Sequence, residues 1–249
     1  MAAYNAAMIP ILMYHQIGLP APKGSPYRGL TVHPTDFRRQ MTWLKRLGYR
    51  GLSMAQLMPY LRGEKQGKVV GISFDDGYRN VFQNAMPVLD ELGFTATNYI
   101  VVRHLDGSNF WDQPKGVPHS GLMSLPELRA WVAAGHEAGS HTLDHVHLTE
   151  VSSEIAQYQI VQSRAELQDL LQVEVNAFCY PYGDQTRAIR DLVRQAGYHN
   201  ATTTNRGLAR ADDDLFDLPR VTVARSTNIL RFLQKCITRL EDRRRTSSP

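Results

Sequence analysis

Residues 69–78 read Val-Val-Gly-Ile-Ser-Phe-Asp-Asp-Gly-Tyr, an apolar run that stops on two adjacent carboxylates. Val69–Phe74 is predicted to be a strand, and Asp-Asp-Gly has the composition of a turn. Two like charges side by side repel, so Asp75 and Asp76 stand either in a water-screened turn or beside a cation. In a regular strand the two side chains would face opposite ways. They can serve one site only where the strand gives way to a loop, and Gly77 supplies that freedom. The carboxyl ends of parallel strands are also where α/β enzymes collect their sites.

Outward from this stretch, strand-like and helix-like segments alternate. Ile9–Tyr14 reads as a buried strand, and Pro34–Leu47 as a helix with Phe37, Met41, Leu44 and Leu47 at helical spacing. Val81–Leu92 reads as a helix and Thr95–Val102 as a strand rich in β-branched residues. Leu125–Ala134 follows as a helix, with Ser124 as N-cap and Glu127 completing a capping box. Ser153–Leu171 is a long helix, Val175–Tyr180 a strand, Thr186–Ala196 a helix closed by Gly197, and Leu218–Val223 a late strand. A last helix runs from Asn228 to about Arg239. Repeated βα units imply a parallel sheet with crossover helices, open or closed as a barrel. With no internal repeat or linker, residues 1–240 form one domain. The longest insertion, 103–121, carries three glycines and two prolines, and loops of that kind border sites in α/β folds.

At 249 residues the chain can bury a sizeable core. Apolar residues at 43% and charged residues at 21% fit a soluble globular protein and exclude broad disorder. Much of the net charge of +4 sits in Arg239 and Arg243–Arg245, so 241–249 is predicted to be a disordered basic tail able to rest on an anionic membrane; nucleic-acid binding is not inferred. Two cysteines, Cys179 and Cys236, supply no disulfide framework. No Lys or Arg precedes Lys23, the apolar segment 8–14 is broken by Pro10, and no run is long enough for a membrane helix. The chain as it stands is expected to be cytoplasmic.

Three further segments carry candidate chemistry. In Gly139-Ser140-His141-Thr142-Leu143-Asp144-His145, two histidines four apart would share one face of a helical turn, a spacing at which two imidazoles can bind one metal. Joined to an acidic strand end they make two histidines and a carboxylate, a set that leaves positions open for water and substrate. His136 is expected at the end of the preceding helix and His147 on the surface. Phe178-Cys179-Tyr180-Pro181-Tyr182-Gly183-Asp184 is a strand followed by a turn, and Leu12-Met13-Tyr14-His15-Gln16 ends the first strand on a histidine. Alone, either would be ordinary structure.

Ser-Phe-Asp-Asp-Gly-Tyr, Gly-Ser-His-Thr-x-x-His and Tyr-Pro-Tyr-Gly, in that order, resemble the polysaccharide deacetylases of carbohydrate esterase family 4, from about Ile9 to about Val223. The resemblance implies a distorted (β/α)7-type barrel, a divalent metal, most often Zn2+ with Co2+, Ni2+ or Fe2+ as substitutes, and hydrolysis of N-acetyl groups on amino-sugar glycans. Residue by residue it implies Asp75 as general base, Asp76, His141 and His145 as metal ligands, and the Tyr182 backbone N–H as oxyanion donor. Two positions depart from the common pattern. Cys179 stands where the third motif usually begins with Arg, and no histidine follows His199 to protonate the leaving amine. Both departures are similar to a permuted branch, the biofilm poly-N-acetylglucosamine deacetylases, in which a first-strand histidine takes that role. His15 is its match, and Arg220 is the candidate to replace the missing arginine beside Asp75. Asn109, Trp111 and Asp112 are candidates to touch sugar. Alternatives within the fold are a deacetylase or deformylase of a lipid-linked sugar and a cyclic-amide hydrolase whose relatives lack the full metal set; outside catalysis, a carbohydrate-binding pseudoenzyme.

Overall fold

The computed structural model describes residues 8–245. In chain order its strands are β1 (Ile11–Tyr14), β2 (Gln16–Ile17), β3 (Thr31–Val32), β4 (Arg50–Leu52), β5 (Val69–Phe74), β6 (Thr97–Ile100), β7 (Glu137–Ser140), β8 (Ala177–Cys179), β9 (Asn200–Arg206) and β10 (Leu218–Thr222). The helices are α1 (Pro34–Arg46), α2 (Met54–Leu61), α3 (Arg79–Asn84), α4 (Met86–Leu92), α5 (Leu125–Ala133), α6 (Ser153–Leu171), α7 (Arg187–Gln195) and α8 (Ile229–Ile237).

β1 pairs in parallel with both β5 and β10, so the sheet closes on itself through β5, β6, β7, β8, β9 and β10 as a seven-stranded parallel barrel. β4 lies against the first half of β5 and β6 against its second half. Thr95 N–H donates to Gly51 O at 3.0 Å, so β4 is wedged at the amino end of the barrel between β5 and the chain entering β6. This insertion is the distortion in the (β/α)7 plan. Every residue of β1, β5, β6 and β8 is buried, as strands covered on both faces must be.

The helices cover the barrel with faces the sequence marks out. Phe37, Met41 and Leu44 of α1 are buried, and Tyr14, Phe37 and Phe74 meet with ring centroids 5.3–5.8 Å apart. α5 begins with the expected capping box between Ser124 and Glu127. The helix expected over 81–92 is instead two, α3 and α4, broken at Ala85. Pro87 in the first turn of α4 has no N–H to donate back into α3, so the hydrogen-bond ladder cannot continue.

The basic tail expected at 241–249 differs as far as it is described. Glu241 is fully buried and pairs with Arg206 at 2.9 Å and Lys235 at 3.3 Å, Arg210 reaches Asp242, and Arg245 reaches Asp213. Glu241, Asp242 and Arg245 are therefore tied to the fold through acid–base partners, while Arg243 and Arg244 between them stand exposed; 246–249 lie outside the described residues. No helix among the described residues is long and apolar enough to cross a membrane.

Candidate active site

At the end of β5 the ladder continues one residue further, with Asp75 N–H donating to Tyr14 O at 3.0 Å. Asp76 then takes φ 77° and Gly77 φ 76°, two left-handed residues in succession. That reversal breaks the strand's alternation, and both carboxylates end buried in one place, Asp75 at 2% and Asp76 at 5% exposure.

Asp75 is gripped from β10. Arg220, fully buried, donates from Nη1 to Oδ1 and from Nη2 to Oδ2, both at 2.7 Å. Its other bonds go to Thr203 O at 2.8 Å, Ser73 Oγ at 3.1 Å and Cys179 Sγ at 3.2 Å, so its five N–H groups have five acceptors. The guanidinium expected from the third motif thus arrives from a different strand and rests on the small thiol that replaces it. Burial pushes the Asp75 carboxyl up, but the charge and hydrogen bonds of Arg220 outweigh it and leave the group below its ordinary value. His15 Nε2 lies 3.9 Å from Asp75 Oδ2.

Asp76 faces two imidazoles. Its Oδ1 is 3.4 Å from His141 Nε2 and 3.2 Å from His145 Nε2, and all three residues are buried. The histidines meet, but not on a helix. Residues 141–145 form a loop in which Thr142 has φ 68° and His145 φ 58°, and these two reversals fold the segment over the end of β7. The helical-turn reading fails because a second hydrogen-bond system holds the loop. Thr142 Oγ1 accepts from His145 N–H at 2.9 Å, and Gln159 Oε1 from Leu143 and Asp144 N–H, each at 3.0 Å.

These residues fit a divalent cation. One carboxylate oxygen and two imidazole nitrogens lie within 4.8 Å of one another. His141 Nδ1–H donates to Cys179 O at 2.7 Å, the tautomer that leaves Nε2 a free lone pair. Burial pushes His145 down to about 4, so its ring is neutral and ready to ligate at neutral pH. Burial also acts against ionised Asp76, but the two imidazoles facing it hold its carboxyl well below the ordinary range. Two histidines and a carboxylate make a recurrent zinc set with a position left open.

Tyr182 has φ 60° in the turn after β8, and its N–H donates to no other described residue. Tyr182 lines a cavity of about 450 Å3 together with His15, Asp75, Asp76, His141 and His145, its ring meeting that of His145 with centroids 4.6 Å apart. Asp112 joins this lining, 5% exposed and 3.3 Å from Lys115 Nζ. The other two expected sugar contacts do not. Asn109 is fully buried, donating to Pro118 O at 3.2 Å and accepting from Ser120 N–H at 2.8 Å, so it clamps the neck of the 103–121 loop. Trp111 stacks on His145 with centroids 4.7 Å apart and does not line the cavity.

Sequence reasoning passed over Tyr78, which lines the cavity and pairs with Leu122 to tie the long loop to the end of β5. It also passed over the wall formed by Leu19, Pro22, Pro26 and Tyr27. The prolines mark that stretch as a loop, but nothing local says where it folds. Around one cavity there are thus an ionised carboxylate, a histidine, an unpaired amide donor and a cation-binding triad. The set suits addition of water to a carbonyl and delivery of a proton to a leaving group.

Comparison with known proteins agrees with this chemistry. Residues 62–201 match the family model described as polysaccharide deacetylase. YxkH of Bacillus subtilis (strain 168) is 28% identical over 220 residues, spanning 88% of this chain and 72% of that protein. The poly-beta-1,6-N-acetyl-D-glucosamine N-deacetylase of Escherichia coli (strain K12) is 25% identical over 85% of this chain, but the match spans only 36% of that longer protein. Among solved structures, the Streptococcus pyogenes deacetylase PplD in complex with acetate superposes with a TM-score of 0.81 at 25% identity, covering 93% of this chain and 99% of PplD.

Proposed function

We propose that this chain, which belongs to the polysaccharide deacetylase family, removes N-acetyl groups from an amino-sugar glycan of the N-acetylglucosamine type, using a divalent cation, zinc foremost, held by Asp76, His141 and His145. The observation that carries the reading is the position of Asp75, clamped by Arg220 at 2.7 Å and 3.9 Å from His15, immediately beside the Asp76–His141–His145 triad.

A cation bound there supplies Lewis acidity, lowering the pKa of water and polarising the acetyl oxygen. The chain does the rest. Asp75, kept ionised and aimed by Arg220, accepts a proton from the water that attacks the acetyl carbon. The Tyr182 N–H donates to the oxygen on which negative charge develops. His15, 3.9 Å from Asp75 Oδ2, delivers a proton to the departing nitrogen as the carbon–nitrogen bond breaks. The N-acetyl amide and water become acetate and a free amine. The names of the relatives support the substrate class: the Escherichia coli enzyme acts on a poly-N-acetylglucosamine, and PplD was solved with acetate, the expected product.

The test is acetate release from N-acetylglucosamine oligomers by the zinc-loaded protein. Asp75→Asn and His15→Ala are each expected to lower kcat by about 100-fold or more, the order of a lost general base or acid. Near wild-type rates in either variant would refute the assignment.

A further inference from the structure

His147 has no part in the mechanism above and on sequence grounds is a surface residue, yet it is only half-buried and closely engaged. Its ring lies flat on the ring of Tyr182, centroids 3.7 Å apart and planes within 5°. Its Nδ1 is 2.5 Å from Asp184 Oδ2. Tyr182 is one residue of the Pro181–Asp184 turn and Asp184 another, so the histidine bridges two points of the turn that bears the unpaired amide.

That turn needs holding. Tyr182 is a non-glycine residue in the left-handed region, a conformation that its Cβ disfavours and that surrounding contacts must enforce. Gly183 follows at φ 80°, and a Cβ there would sit 2.0 Å from Thr204 Oγ1, so the turn is pressed against β9 with no room for a side chain. Thr204 Oγ1 also donates to Tyr182 O at 3.3 Å, fixing the carbonyl side of the residue. The ring is fixed separately. Besides His147, the edge of His145 meets it with centroids 4.6 Å apart, and Lys115 Nζ lies 4.1 Å from its centroid.

We propose that His147 and Asp184 are a positioning pair, with His147 stacked on the Tyr182 ring and anchored by Asp184, that holds the Tyr182 amide N–H aimed into the active site. The inference rests on the reading of that N–H as the oxyanion donor. Donor placement matters because a preorganised donor acts only from the place where charge will develop, and a shift of about 1 Å can cost up to about 100-fold in rate. His147 reaches the reaction through Tyr182 and is not itself catalytic.

The experiment is steady-state acetate release with N-acetylglucosamine oligomers, with zinc content measured on the same samples. His147→Ala removes both stack and anchor; it is expected to lower kcat by about tenfold or more, a fraction of what losing the donor outright would cost, with KM changed by less than about twofold and zinc retained. His147→Phe keeps a flat ring on Tyr182 and should recover most of the lost kcat. Asp184→Asn, a milder change should the alanine variant fail to fold, should lower kcat less than His147→Ala. Unchanged kcat in His147→Ala, no recovery with Phe, or a loss explained by missing zinc would overturn the inference, the last by showing that His147 supports His145 instead. An inactive wild-type protein with zinc bound would overturn the deacetylase reading and, with it, the inference; an active wild type with unaffected variants would overturn the inference alone.

Discussion

Arg220 gives the clearest case of one residue setting the chemistry of another. A fully buried guanidinium with every N–H accepted is bound to a buried carboxylate at two points, and the guanidinium has no water to fall back on. Removing one partner of such a pair strands the other. Arg220→Met is therefore expected to destabilise the fold by about 3–5 kcal/mol, read from urea unfolding, and to abolish acetate release by freeing Asp75 from its orientation. A stability loss below about 1 kcal/mol, the size of an exposed ion pair, would show the pair to be far better hydrated than its burial suggests. At this scale the sequence was legible where chemistry is concentrated in adjacent residues. The doubled carboxylate at Asp75–Asp76 marks a candidate site, open between a water-screened turn and a cation until the two histidines are set beside it. The His141–His145 pair could be found but not its geometry, since the spacing of four matches a helix while Thr142 and His145 fold as left-handed loop residues. Asn109 could not be judged, because an amide that binds sugar and one that ties a loop look alike until its acceptors are known.

At the scale of elements, packing converts a residue expected at a helix end into part of the core. His136 lies past the end of α5, its ring stacked on Trp131 with centroids 4.2 Å apart, its Nδ1 accepting from Ala96 N–H and its Nε2 3.0 Å from Asp90 Oδ1 of α4. Burial pushes its pKa below the ordinary value of 6.5, and the bond to Asp90 only partly offsets this. The folded state thus holds the proton less tightly than the unfolded chain, so stability from this group is present above 6.5 and is lost as pH falls from there through the folded-state pKa. Urea unfolding of wild type and His136→Gln at a series of pH values between 7.5 and 5 checks this. The wild type should lose more stability on acidification than the variant, and parallel profiles would contradict it. Helices with end signals were legible: α6 occupies Ser153–Leu171 as read, and α5 starts on its capping box. β7 and β9 escaped notice because Glu-Ala-Gly-Ser and Asn-Ala-Thr-Thr-Thr-Asn-Arg are short or polar, and only the neighbouring strands make them strands.

For the whole molecule, closure of the barrel brings the site together. β1 lies between β5 and β10, so His15 just past β1, Asp75 just past β5 and Arg220 within β10 become neighbours although they are 60 and 145 positions apart in the pairs His15–Asp75 and Asp75–Arg220. The expectation that first and last strands adjoin holds in the pairing of β1 with β10, which is why a histidine just past the first strand stands beside Asp75 and the arginine of the last strand. The wedge of β4 and the folding of the proline-rich 19–31 segment over the cavity had no signal in the chain, since each depends on contacts between distant elements.

The central claim is that a cation at Asp76, His141 and His145 works with Asp75 to hydrolyse an N-acetyl group. Its most direct test is acetate released from N-acetylglucosamine oligomers by one protein preparation as isolated, after chelation, and after zinc is restored, beside Asp76→Ala treated the same way. The account predicts about one zinc per chain in the active wild type, loss of acetate release on chelation, recovery with zinc, and no recovery in Asp76→Ala. Acetate release that survives complete removal of metal, or that returns with zinc in Asp76→Ala, would contradict it.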